Sequence, residues 1–289
     1  MSTIATAPER APAAELPPLN EPRKRLTRFI LPGYTILMML YLMSPIFLMI
    51  LYGFNDVGQA EGVREVQTPK FWGFTLHWYR SLFDIPNLTA SLKHSIAIAI
   101  PSAIVATILG TLLGLVLGRY RFRGQAPTMF IIFLAIAVPE IVLGSSLLSM
   151  FIGVSTPPLG FWTVLLSHIS FSVPFVAITV RARVQGMDRS LEDASQDLFA
   201  SPIVTFFRVT LPMIMPGILA GGLLAFVLSL DDFVITNFVF GSYPTFPVFV
   251  WGSTRLGLPP QVNVMGTLLF ATGILLTALT ILIQRRRAA

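Results

Sequence analysis

Three carboxylates interrupt apolar stretches of this chain: Glu140 inside the run Thr128–Ile152, and the adjacent pair Asp231 and Asp232 between Ile218–Leu230 and Phe233–Phe240. A carboxylate at the centre of a membrane helix costs about 2.5–3.5 kcal/mol on insertion scales, so it belongs beside a wet cavity or a cation. Counted from Thr128 at 1.5 Å per residue, Glu140 is ~18 Å deep, near the bilayer midplane. Phe171, Phe175 and Phe233 would add cation–π and apolar contact to a cation path. The same groups also suit structural roles, with Glu140 capping or pairing inside a bundle and the aspartates ending a helix outside. Little else supports catalysis. The chain has no cysteine, its three histidines (His77, His94, His168) form no helical ligand pair, and no Gly-x-Ser-x-Gly elbow occurs, so neither a metal site nor an intramembrane enzyme finds its parts.

The elements that must hold these groups are membrane spans. Of 289 residues, 54% are apolar and 12% charged, and the mean hydropathy is +0.74, against about 25% charged residues in an ordinary soluble domain. A soluble globular fold is excluded. Six apolar runs are long enough to cross ~30 Å of hydrocarbon: Phe29–Phe54, Ser95–Gly118, Thr128–Ile152, Phe161–Val180, Val209–Leu230 and Val264–Ile283. Prolines inside them (Pro32, Pro45, Pro101, Pro139, Pro174, Pro212, Pro216) are tolerated in a bilayer because neighbouring groups satisfy the freed backbone. Residues 1–28 read as a disordered cytoplasmic tail, 29–284 as the membrane domain and 285–289 as a basic cytoplasmic end.

With the N-terminus inside, the cytoplasmic segments carry fifteen of the 20 Lys and Arg residues, including Arg23, Lys24, Arg25, Arg28, Arg119, Arg121, Arg123, Arg181, Arg183, Arg189 and Arg285–Arg287. The outer segments keep Arg64, Lys70, Arg80, Lys93 and Arg255. This bias places both termini in the cytoplasm, and the basic excess needs no nucleic acid to explain it. Small residues recur every fourth position in the second span (Ser102, Ala106, Gly110, Gly114, Gly118), a surface for close helix packing within the bundle or against another subunit. Phe71, Trp72, Trp78 and Tyr79, in the outer segment, suit interfacial anchoring or docking of an external partner.

The segment 181–211 is a different kind of element. Ser190 with Asp193 three residues on is a capping-box signature, which predicts a helix starting there and stopping at Pro202. Leu191, Ala194 and Leu198 share one face with Phe199 beside it, while Glu192, Gln196 and Asp197 are polar. Helices that lie on a bilayer surface usually carry Lys and Arg on the polar face. This one is acidic, so its apolar face is predicted to enter a protein groove.

The run Leu191–Pro202, followed by Phe206–Gly217, resembles the EAA loop of ABC-importer permeases, in which E-A-A-x-x-x-G-A precedes a leucine–proline pair. Asp193, Ala194, Ser195, Phe199, Ala200, Leu211 and Pro212 stand at the matching positions. The motif glutamate is Asp193 here, with Glu192 adjoining, and the motif glycine is Phe199. Ser229–Thr236, Phe246–Val248, Pro260–Thr267, Leu76–Ser95 and Pro139–Gly144 extend the resemblance to the spermidine/putrescine permeases of the PotC type, over about residues 29–284. The resemblance implies an all-α, six-span type I importer fold in a bacterial cytoplasmic membrane. It implies a second, homologous permease subunit, two copies of a cytoplasmic ATPase and an external substrate-binding protein, besides membrane lipid. Leu191, Glu192, Asp193, Ala194, Leu198, Phe199 and Ala200 would then couple to the ATPase, and Glu140, Asp231, Asp232 and the three phenylalanines would line a path for flexible polyammonium chains. The residues agree on the division of labour: none of the three lysines (Lys24, Lys70, Lys93) follows a glycine, so the chain has no Gly-Lys-Ser/Thr phosphate loop; no cofactor is expected on this chain, and ATP with Mg is expected on the ATPase. An ion-gradient-driven transporter or channel is the alternative class. It accounts for spans and carboxylates but leaves the acidic loop helix without a role.

Overall fold

The computed structural model describes residues 24–56, 70–155 and 157–288. The predicted N-terminal tail to residue 23 and much of the outer segment, 57–69, lie outside these. The described residues fall into two compact units, divided between Met49 and Ile50. The first contains most of helix α1 (Lys24–Gly53), which reaches back into the stretch assigned to the tail and runs through Pro32 and Pro45. Pro45 has no N–H to give the Tyr41 carbonyl. The Ser44 hydroxyl donates to that carbonyl instead, at 2.7 Å, so the helix passes its proline without an orphaned acceptor.

In the second unit, a short α2 (His77–Arg80) precedes α3 (Pro86–Arg119), α4 (Gln125–Ala137), α5 (Glu140–Val154) and α6 (Phe161–Gln185). Then come α7 (Ser190–Asp197), α8 (Pro202–Thr205), one turn of π-helix (Phe206–Thr210) and α9 (Leu211–Asp231). The chain ends with α10 (Val234–Val239), α11 (Phe246–Leu256) and α12 (Pro260–Ala288). Among the described residues, four helical stretches are long and apolar enough to cross a membrane: Ile30–Gly53, Pro86–Arg119, Phe161–Gln185 and Pro202–Asp231.

The third predicted span is not one helix. It breaks between α4 and α5, which meet at 103°. Val138 is extended (φ −65°, ψ 129°), the conformation imposed on a residue before proline, and Pro139 then starts α5 afresh. Membrane tolerance of proline holds at Pro101 and Pro174, which stay inside α3 and α6, but fails at Pro139.

The core of this unit is the packing of α3, α6 and α9 around Ala103, Ala106, Val176, Val180, Val184, Ile214 and Ala225. Lipid tails are as apolar as these side chains, so close contact rather than escape from water holds such helices together. The small-residue stripe of α3 provides it within the chain. A Cβ added at Gly110 would stand 2.5 Å from Val176 Cβ, and one at Gly114 2.8 Å from the Ala177 carbonyl oxygen. Gly110→Val is therefore expected to destabilise the protein by about 1–3 kcal/mol through overpacking, read as a lower thermal midpoint in detergent. Gly153→Val, where an added Cβ meets nothing within 4 Å, should leave the midpoint in place.

A second cluster joins Trp78, Leu82 and Leu88 to Val262, Val264 and Met265. Trp78 belongs to this core rather than to an interfacial belt: it is 1% exposed, and its indole N–H donates to the Asn55 carbonyl at 2.7 Å. Trp72 remains exposed.

Candidate functional site

Two places on the second unit carry the predicted site residues: the α7 loop, and the breaks that flank α5 and α10. At the first, the helix begins at Ser190 as its sequence predicts, but the cap is a different residue. Asp188 Oδ1 accepts the Ser190 backbone N–H at 3.0 Å, so Ser190 is already inside the helix and Asp193 is not its capping partner. Hydrogen bonds from the Ser190 backbone and hydroxyl hold the Asp188 carboxyl below its ordinary pKa. Because the folded value is depressed, this cap is complete above the ordinary carboxylate range and is lost only as pH falls through and below it.

The helix also ends earlier than Pro202. The Phe199 N–H donates to the Gln196 carbonyl at 2.8 Å and the Ala200 N–H to the Ser195 carbonyl at 3.2 Å, the paired bonds of a Schellman motif. Its pivot is Phe199, at φ +61°, the left-handed conformation that glycine adopts freely and other residues at a cost of roughly 1–2 kcal/mol. Phe199 thus makes the turn a glycine would make. Pro202 begins α8, where its missing N–H costs nothing.

The two faces of α7 are used in the opposite sense to a core helix. Helix α7 is fastened to the membrane domain through Glu192 and Ser195, while Gln196 and Asp197 stay exposed. Glu192 pairs with Arg119 at the end of α3, and its Oε1 accepts the Thr210 hydroxyl at 2.7 Å. The Ser195 hydroxyl meets that of Thr205 at 3.1 Å, and Arg189 donates to the Arg119 carbonyl at 3.0 Å. Leu191, Ala194, Leu198 and Phe199 face outward, with Leu198 82% and Phe199 99% exposed. Asp193 is exposed and Ala200 half-buried. The acidic residue that anchors the helix is therefore Glu192. Glu192→Gln keeps an acceptor for Thr210 but leaves Arg119 without its counter-charge, a loss of about 1.5–3 kcal/mol for a hydrogen bond to a charged group. Faster amide exchange confined to Ser190–Asp197 is the expected outcome; Asp193→Asn should not produce it.

At the second place, Glu140 is the first residue of α5, exposed at the α4–α5 break, not within a continuous span. Asp231 is the exposed last residue of α9. Helix α5 meets α10: a Cβ added at Gly144, one turn after Glu140, would lie 3.3 Å from Ile235 Cα and 2.6 Å from the Phe238 ring. Phe175 and Phe233 are half-buried. Phe171 is buried and meets Phe175 edge to face at 5.3 Å. Phe233 packs instead on Trp251, ring centroids 5.2 Å apart.

Asp232 departs from the expected path. It is 8% exposed. Its Oδ1 accepts the Ile235 N–H at 3.3 Å, and its Oδ2 accepts the Thr236 N–H at 2.8 Å and the Thr236 hydroxyl at 2.7 Å. His168 Nε2 stands 3.2 Å from the same Oδ2. A carboxylate so occupied has no face left for a passing cation. His168, on α6, carries no motif and its partners are distant in sequence, so local spacing gave no sign of it.

Residues 110–287 match the family described as binding-protein-dependent transport system inner membrane component. The chain is 34% identical over 265 residues to the spermidine/putrescine transport system permease protein PotC of Haemophilus influenzae, covering 90% of this chain and 99% of that one. It is 35% identical over 254 residues to the putrescine transport system permease protein PotI of Escherichia coli, covering 85% of each. Among solved structures, a bacterial ABC transporter involved in the import of alginate superposes with a TM-score of 0.62 at 14% identity, over 93% of this chain and 99% of the other. An amino acid ABC transporter gives 0.57 at 14% identity, over 74% and 100%. At such identities these two share the fold, and their cargoes say nothing of the cargo here.

Proposed function

The chain belongs to the inner-membrane components of binding-protein-dependent transport systems, and from that premise we propose that it is a permease subunit of an ATP-driven importer of polyamines. It is a multi-pass bacterial inner-membrane protein and not itself an enzyme. The observation that carries the coupling part of the reading is α7, fastened through Glu192 and Ser195 and presenting Leu191, Ala194, Leu198 and Phe199 outward. That apolar tip is a plug for a groove in a cytoplasmic ATPase. Two copies of this ATPase, binding ATP and Mg, would serve this chain and a second, homologous permease; an external substrate-binding protein would deliver cargo. The polyamine assignment rests on the likeness to the PotC and PotI permeases.

In this reading six spans cross the membrane: α1, α3, the broken α4–α5 pair, α6, the stretch from α8 through α9, and α12. Both termini are cytoplasmic, with residues 1–28 and 285–289 flanking the membrane domain. Single cysteines are easily tested in a cysteine-free chain. Asp84→Cys and Arg123→Cys, both at exposed positions, should react with an impermeant maleimide from the outside and the inside respectively. Reaction of both from one side would discard the topology.

Glu140 and Asp231 would face the translocation path and hold ammonium groups loosely enough to release them inward as the subunits alternate between outward and inward access. The deciding experiment purifies the chain with its co-eluting partners, reconstitutes them, and measures ATP hydrolysis with putrescine and with spermidine. Stimulation by either, dependent on the binding protein, is expected. Stimulation only by chemically unrelated solutes would overturn the polyamine assignment, and transport without the ATPase would overturn the importer class.

A further inference from the structure

The α9–α10 break is held from across the bundle by a single ring. His168 projects from α6, and its Nδ1 meets the Ser229 hydroxyl at 2.7 Å, in the last turn of α9. Its Nε2 meets the Thr236 hydroxyl at 2.8 Å, in α10, and lies 3.2 Å from Asp232 Oδ2. The ring therefore touches the chain on both sides of the break. The Ser102 hydroxyl of α3 extends the array to a third helix, 2.8 Å from that of Ser229. His168, Ser102, Ser229, Thr236 and Asp232 are all buried.

Hydrogen-bond accounting fixes the Nε2 side of the ring. An ionised carboxylate only accepts, and Asp232 Oδ2 already takes the Thr236 hydroxyl proton, so Nε2 must carry a hydrogen that points toward Thr236 Oγ1 and Asp232. Ser229 Oγ stands between Ser102 Oγ and Nδ1, and the Ser102 hydroxyl also reaches the Ala99 carbonyl at 3.1 Å. With Nε2 donating, every member of the array has a partner whichever way the protons of Ser102 and Ser229 run.

We propose that His168 is a positioning residue: by stapling Ser229 to Thr236 and Asp232 it turns the Asp232 carboxylate inward, and so fixes Asp231, which lies between the staples, facing outward. Two consecutive carboxylates at a helix end compete for the same buried donors. With the staple in place, Asp232 takes them. Without it, the Asp232 carboxylate loses one of its donors and the break can re-register, which turns whichever side chain stands at position 231 toward the bundle. The consequence for transport rests on the reading that Asp231 lines the polyamine path, whereas the positioning itself does not.

The test separates the two. In assembled transporter on open membrane fragments, Asp231→Cys should react readily with a water-soluble maleimide. Adding His168→Leu should slow that reaction severalfold, while Arg123→Cys, in a distant loop, reacts at its usual rate. An unchanged rate at position 231 would overturn the proposal. Should His168→Leu fail to assemble, Ser229→Ala removes one staple without removing the ring and must give the same slowing. In spermidine uptake, His168→Leu should raise the apparent KM, and Asp231→Asn should not raise it further in the double variant, because residues acting through one contact are non-additive. Additive effects would refute action through Asp231. Uptake unchanged in Asp231→Asn alone would instead remove Asp231 from the path and leave the labelling result to decide the positioning.

Discussion

Leu198→Asp is expected to strip the ATPase from the purified complex and abolish transport while leaving the membrane domain folded. Leu198 is 82% exposed and makes no core of its own chain, so a charge there costs the isolated permease almost nothing. Seated in an apolar groove, the same charge would be buried without a partner, which is costly. Central apolar anchors of interfaces typically lose about 2 kcal/mol or more on truncation, roughly thirtyfold in affinity, and a carboxylate should exceed that. Phe199→Gly separates two properties of its position. Glycine takes the left-handed turn without strain, so the Schellman end of α7 should gain about 1–2 kcal/mol, seen as slower amide exchange there. The lost ring, 99% exposed in the free chain, should nevertheless weaken ATPase retention. A tighter helix with weaker coupling is an outcome that loss of folding cannot imitate. If Leu198→Asp co-purifies with the ATPase and transports at the parental rate, α7 is not the coupling element.

What the sequence disclosed and what it concealed follow from the range of the interactions involved. The start of α7 at Ser190 and its outward apolar face were readable because three- and four-residue spacing determines them. So was the stripe ending in Gly110, Gly114 and Gly118, although only the packing decided that its partner is α6. The cap stands two residues before the one local spacing predicts: Ser190 and Asp188 are both good cap formers, and the choice depends on the path of the chain out of α6. Pro139 was visible, but whether a bilayer proline bends or breaks its helix is decided by what replaces its missing bond. The His168 array was hidden for a plainer reason. Its contacts to Ser229 and Thr236 span 61 and 68 residues, and no local period encodes them. That array is also what assigns different environments to two identical neighbours, Asp231 and Asp232, which the sequence could only treat as a pair.

Those environments give opposite expectations for two one-atom changes. Asp231→Asn should leave the complex assembled and raise the spermidine concentration needed for half-maximal uptake. A unit charge pair at 4 Å is worth about 1 kcal/mol in bulk water and about 4 kcal/mol at an effective dielectric of 20, so a tenfold or larger rise is expected. Glu140→Gln should act in the same direction, since Glu140 is exposed at the start of α5, beside the crossing with α10. Asp232→Asn should behave differently. It places an amide NH2 either against the Ile235 N–H, at the Oδ1 position, or against the Thr236 N–H and hydroxyl, at the Oδ2 position, and a buried mismatch of this kind costs about 1–3 kcal/mol. Its signature is a lower thermal midpoint and less assembled complex. Uptake by the complex that does assemble should be affected less steeply than in Asp231→Asn. Concentration-dependent uptake of labelled spermidine, normalised to assembled complex, distinguishes the two classes. Parental uptake in both Asp231→Asn and Glu140→Gln would take these carboxylates off the path and leave the cation without a binding group that this chain is known to offer.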